Sequence, residues 1–131
     1  MTHTAKVFGI DRIPAVKGQG IPAHSARSLK GWAVTYATSP QGADHTAGVV
    51  EDDPLSPVGQ VERSRTQQIA TAALDATGLC MFTFIEKQPE LIAPMIAALY
   101  DVEWTAADFD EMGKESLRQE RAFNIAAGIS P

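Results

Sequence analysis

One thiol, one loop imidazole and one helix-end carboxylate are the groups in this chain best equipped for chemistry: Cys80, His45 and Asp75. Cys80 is the single cysteine and closes the run Asp75-Ala-Thr-Gly-Leu-Cys80, five residues after a carboxylate and two after a glycine. A thiolate is a nucleophile or a soft metal ligand. As a nucleophile it needs a base, which His45 supplies only if the fold brings the two together. As a ligand in an all-thiolate site it needs partners that the chain lacks. Flanked by Leu79, Met81 and Phe82, it can equally pack as a small hydrophobe. Residue pattern leaves these readings open.

His45 ends the run Gly42-Ala43-Asp44-His45, and Gly42 and Gly48 on either side let backbone approach another group closely. Asp75 falls near the end of a predicted helix, where its charge meets the negative end of the macrodipole. Such a carboxylate either accepts hydrogen bonds from a ligand's amino group or points to water. The acidic run Glu51-Asp52-Asp53 lacks the glycine turn of a calcium loop and reads as solvated surface. Gly18-Gln19-Gly20 lacks the strand, helix and third glycine of a dinucleotide fingerprint. His24 is expected to pack where the chain enters a helix, and His3 to lie in a frayed terminus. Glu120 and Arg121 read as helix-surface or inter-helix ion-pair residues.

The elements that must position these groups follow from hydropathy and breakers. Gly9, Pro14, Gly18, Gly20 and Pro22 make residues 1–24 an extended or looping arm. From Ser25, a plausible N-cap, Leu29, Trp32, Ala33, Tyr36 and Ala37 mark one face of a helix ended by Pro40 and Gly42. Residues 40–56 form a loop. Ser56-Pro57 opens a helix to about Thr77 with Ile69, Ala72, Ala73 and Ala76 as its buried stripe, and Gly78 is its left-handed stop. Met81-Phe82-Thr83-Phe84-Ile85 reads as a buried helical turn. Pro89 starts a helix through Tyr100 that Pro94 should kink or delay. Thr105 to Asp108 resembles a capping box, and the helix behind it turns Phe109, Met112, Leu117 and Phe123 inward and ends near Gly128. With no alternating strand pattern and no repeat, the class is all-α: four to five helices, residues 25–131, behind the arm of residues 1–24.

The 131 residues, 44 % apolar and 21 % charged, suffice for a single core. A net charge of −5 leaves no basic field for a nucleic-acid backbone. Apolar runs fall far short of the roughly 20 residues that span a bilayer. No secretory signal opens the sequence, which with the lone cysteine points to a reducing, cytoplasmic setting.

Three blocks, in order, carry a resemblance: Gly20-Ile-Pro-Ala-His-Ser-Ala-Arg-Ser-Leu-Lys-Gly-Trp-Ala-Val-Thr-Tyr-Ala-Thr-Ser-Pro-Gln-Gly-Ala-Asp-His45, Asp75-Ala-Thr-Gly-Leu-Cys80-Met-Phe, and Glu120-Arg-Ala-Phe-Asn124. Over roughly residues 15–129 the chain resembles the C-terminal part of the aldehyde ferredoxin oxidoreductase family. The resemblance implies helical C-terminal domains and an enzyme that oxidises aldehydes to carboxylic acids and passes electrons to ferredoxin. Its cofactors are tungsten, sometimes molybdenum, on two pterin dithiolenes beside a 4Fe–4S cluster. By the same resemblance Asp75 hydrogen-bonds a pterin, Leu79 adds backbone contacts, Cys80 is the fourth cluster ligand, and His45 lies near the metal. Asp44 departs from the cysteine expected beside that histidine.

The family's N-terminal β-rich domain, its Cys-x-x-Cys-x-x-x-Cys run and a second Asp-x-x-Gly-Leu motif are not in this sequence. One thiolate cannot hold a cluster that takes four ligands, so this chain is expected to be inactive alone and to need the N-terminal portion or a separate subunit. Two alternatives remain: a helical descendant that acts through self-association, such as a homodimer, without cofactor, and a thiol enzyme using Cys80 and His45.

Overall fold

The computed structural model describes residues 1–83 and 88–129, and among these the regular structure is helical apart from one hairpin of two-residue strands. Helix α1 spans Thr2–Phe8, strands β1 (Ala15–Val16) and β2 (Gln19–Gly20) pair antiparallel, and α2 follows at Lys30–Thr38. Helix α3 spans Gln60–Ala76, a 3-10 turn Met81–Thr83 comes next, and α4 (Pro89–Tyr100) and α5 (Ala106–Ala126) complete the order. The arm is therefore not wholly extended. Its first residues wind into a helix that Gly9 stops in the left-handed conformation, and Lys17 and Gly18, both at positive φ, turn the hairpin.

Helix starts lie later than their polar residues suggested. Ser25 caps a turn rather than a helix: its hydroxyl accepts from the Arg27 N–H, and α2 begins five residues on. Likewise Ser56 accepts from the Val58 N–H, and α3 begins after Gly59 in the left-handed conformation. Serine side chains bond locally in turns as readily as at helix ends, which is why the signal is ambiguous. Other boundaries match expectation. Gly78 stops α3 at φ 78°, Pro89 occupies the first turn of α4 with Pro94 inside it, and Thr105 and Asp108 form a reciprocal capping box on α5. The Asp108 carboxyl sits below its ordinary range because the Thr105 hydroxyl and N–H donate to it.

Two apolar centres flank α3. Trp32, Tyr36, Ala43 and Val50 form one, with Val16, Ile21, Leu29 and Val49 against them. Ala73, Leu74, Ile92 and Phe109 form the other, joined by Leu79, Met81, Ile96, Trp104 and Met112. Of the stripe expected on α3, Ile69 and Ala73 are buried while Ala76 is exposed, because α3 packs on both sides. Its second buried line is polar: Gln60, Ser64, Gln68 and Thr71. The Ser64 and Thr35 hydroxyls lie 2.8 Å apart, and the Gln68 amide donates to Ser64 and to Thr38. These contacts satisfy groups that α2 would otherwise strand in the core.

Gly113, in the middle of α5, explains how closely α3 and α5 approach: a Cβ there would overlap the Ile69 carbonyl oxygen and press on Ala73. Two expectations fail. Phe123 points outward, 70 % exposed, since α5 has by then run past the second core. The turn after Cys80 is not buried: Phe82 is 73 % exposed and Met81 alone reaches the core, while Phe84 and Ile85 lie outside the described residues.

Candidate functional site

The last turn of α3 and the reversal behind it place Asp75, Leu79 and Cys80. The Thr77 hydroxyl donates to the Leu74 carbonyl and accepts from the Leu79 N–H, so one side chain ties the helix end to the strand of backbone that leaves it. Leu79 turns in and packs on the second core. Cys80 turns out, and its thiol is exposed. The carbonyl of Cys80 accepts from both the N–H and the hydroxyl of Thr83, which fixes the backbone on the far side. The small-hydrophobe reading of Cys80 therefore fails for a local reason: Leu79, one residue earlier, takes the inward position.

Asp75 is exposed at the helix end, yet its carboxyl is pushed above the ordinary range by partial burial and by the negative charge of Asp44. The fold thus brings the two acids within electrostatic reach. Glu120 joins them from α5, its carboxyl raised by burial and by Asp75. Nothing in the hydropathy pattern signalled that third carboxylate; only its place in the block Glu120 to Asn124 pointed to it. Beside it a hollow of about 430 Å3 is lined by Pro40, Gln41, Gln119, Glu120, Phe123 and Asn124. A groove of about 390 Å3 between α2, α3 and α5 is lined without any thiol, imidazole or carboxylate.

His45 rides on a chain of tight turns. Gly42 N–H bonds the Ser39 carbonyl, Asp44 N–H the Gly42 carbonyl, and one Asp44 oxygen accepts from both the N–H and the hydroxyl of Thr46. Gly42, at φ 78°, lies so close to the Val16 carbonyl that no side chain fits there. Ala43 behind it is fully buried, which leaves the His45 ring outward beside Asp44, with Nδ1 3.7 Å from Oδ1. That ring lies nearly parallel to Trp32, centroids 6.5 Å apart, and His24 sits 4.5 Å from Trp32 and 5.4 Å from His45. His24 is thus part of the His45 surroundings, beyond the packing role expected for it. Tyr36 donates to the His24 carbonyl, and its phenol is pushed up by burial and then by Asp44.

Comparison with known proteins decides the family. A family profile described as "Aldehyde ferredoxin oxidoreductase, domains 2 & 3" matches residues 2–131. The chain belongs to the aldehyde ferredoxin oxidoreductase family. Similar proteins include the tungsten-containing aldehyde ferredoxin oxidoreductases of Pyrococcus horikoshii, 27 % identical over 96 % of this chain, and of Pyrococcus abyssi, 27 % identical over 94 %. The enzyme of Thermococcus kodakarensis is 26 % identical over 89 % of the chain. These matches cover 23 %, 22 % and 21 % of the relatives, so the chain spans less than a quarter of the length of the curated aldehyde ferredoxin oxidoreductases it matches.

Residue chemistry tests how far the family's cofactors fit this chain. An exposed thiol on a backbone fixed from both sides suits one ligand position of an iron–sulfur cluster. An exposed carboxylate five residues earlier, in the last turn of α3, suits an amino or ring N–H of a heterocycle. Among the described residues no group of three or more His, Cys, Asp or Glu could hold a metal ion. The donor set fits one corner of a shared site and not a whole one. No helix among the described residues is long and apolar enough to cross a membrane.

Proposed function

We propose that this chain is the helical part of a tungsten-dependent aldehyde oxidoreductase and shares its cofactors with a further portion of polypeptide. The observation that carries the reading is the exposed thiol of Cys80, held between two hydrogen-bonded turns one residue after an inward Leu79. In this reading Cys80 supplies one thiolate to a 4Fe–4S cluster, and Asp75 and the Leu79 backbone hydrogen-bond a pterin. When bound, the metal–pterin group and the cluster would supply the two-electron oxidation of an aldehyde to a carboxylic acid and a route for its electrons to ferredoxin.

This chain's own residues bind and orient. Asp75, facing Asp44 and Glu120, gains from any N–H donor that relieves the crowded negative charge. His45, exposed and adjacent to Asp44, donates a hydrogen bond to an oxygen of the substrate or moves a proton at its ring nitrogen. With one thiolate the chain alone is inactive. Co-producing it with the upstream portion of a relative tests the reading: aldehyde-dependent dye reduction and bound iron and tungsten are expected, and an assembly that forms with neither overturns it.

One observation favours a second reading, self-association without cofactor. Leu91, Met95 and Leu99 recur every four residues along α4 and are 52 %, 57 % and 74 % exposed. That stripe would be covered in a dimer as well as in a larger enzyme.

A further inference from the structure

The block Glu120 to Asn124 lies on α5, and none of its residues has a part in the proposed cofactor contacts. Its geometry gives it one. Three consecutive carbonyls at the end of α2 each accept a side-chain donor from far away in sequence. Thr38 accepts from the Arg121 guanidinium at 3.2 Å, Ser39 from the Lys17 ammonium at 3.1 Å, and Pro40 from the Asn124 amide at 2.8 Å. Helix ends leave carbonyls without intrahelical partners, which side chains, turn N–H groups or water must satisfy. Here α5 and the hairpin supply side-chain donors, alongside the Gly42 N–H on Ser39.

What these donors hold is the root of the His45 loop. From Ser39 onward the backbone proceeds by short turns through Gly42 and Asp44, with Gly42 wedged against Val16 and Ala43 fully buried. Such a run has few free torsions, so the place where it starts determines where His45 ends. The same stretch of α5 carries Glu120, which is within electrostatic reach of Asp75 at the end of α3. One stretch of α5 therefore spans from the Asp75 side of the site to the His45 side.

We infer that Asn124, assisted by Arg121, is a positioning residue that fixes the His45 loop relative to Asp75 and Cys80. Asn124 is the stronger member, since it is half-buried and its bond is the shortest of the three. It touches no reacting atom. It acts through the Pro40 carbonyl. The significance for catalysis rests on the proposed role of His45, whereas the mechanical claim does not.

The test is NMR of the full chain carrying Asn124→Leu. Two changes are expected: His45 ring protons shift as the ring leaves its place over Trp32, and amide exchange at Ala43 to Thr46 quickens by about tenfold or more. Core amides at Ala73, Leu74 and Phe109 stay unchanged. Arg121→Ala gives a smaller change in the same signals, and Arg121→Lys restores them. If Asn124→Leu fails to fold, Asn124→Ser, which is too short to reach Pro40, is read in the same way. Unchanged His45 signals in a folded variant overturn the inference. So does loss of protection spread evenly over α3 and α5, which would assign Asn124 to general packing. Loop movement with undiminished aldehyde oxidation in the reconstituted assembly would leave the clamp standing and remove the role of His45.

Discussion

At Asp75, partial burial and the charge of Asp44 both favour the protonated acid, and Asp75 acts in the same sense on Glu120. A carboxyl whose folded pKa lies above its unfolded value contributes stability that is complete below the unfolded pKa, about 4, and lost as pH rises through the folded one. Asp75→Asn should therefore stabilise the isolated chain at pH 7, by up to about 1 kcal/mol for a solvent-screened interaction, and the gain should vanish near pH 3. Thermal unfolding at the two pH values checks this; a variant less stable at pH 7 would show that Asp75 makes a favourable contact. An acid kept where it weakens the fold is what a ligand-binding role leads one to expect. The sequence hinted at the conflict through the helix macrodipole. Burial of Asp75 and the nearness of Asp44 and Glu120, both far off along the chain, are set by the fold and left no local sign.

At the scale of elements, the packing of α3 on α5 depends on Gly113. Alanine is ordinarily the better helix residue by about 1 kcal/mol, and that preference should be overridden here. Gly113→Ala must drive a methyl into the Ile69 carbonyl, so a net loss of about 1–3 kcal/mol is expected in denaturant unfolding. A stabilised variant would mean that the helices separate freely. Breakers and caps located these elements well: Gly78 marked the end of α3, Pro89 the start of α4, and the Thr105–Asp108 box the start of α5. Apolar periodicity found only part of the buried face of α3, Ile69 and Ala73, because its second buried line, Gln60, Ser64, Gln68 and Thr71, is polar and leaves no apolar trace. Phe123 was misread for the converse reason: helical phase continued after the core beneath it had ended.

Across the whole molecule, several large apolar side chains are exposed. They include Leu91, Met95 and Leu99 along α4, Phe82 beside Cys80, and Phe123 at the hollow lined by Glu120. Sedimentation of the isolated chain should show concentration-dependent association that Leu91→Glu with Leu99→Glu abolishes; a strict monomer at high concentration would assign those surfaces no role in self-association. The family was legible in the sequence, since three ordered blocks carried the resemblance and the family profile matches residues 2–131. Residue type and spacing left the roles of His45, Asp75 and Cys80 open, and only the resemblance proposed them. The nearness of Glu120 to Asp75, the ring contacts of His24 and the carbonyl contacts of Asn124 were not legible, because they depend on where separate segments meet.

Iron bound in the co-produced assembly tests most directly whether the α3 reversal presents a ligand. With the native chain, iron, acid-labile sulfide and cluster absorbance should rise together. With Cys80→Ala, whose thiol is lost at an exposed position that packs nothing, the assembly should still form but lose most of that absorbance and its aldehyde-dependent dye reduction. An assembly carrying Cys80→Ala with native iron content, native spectrum and native activity would contradict the account.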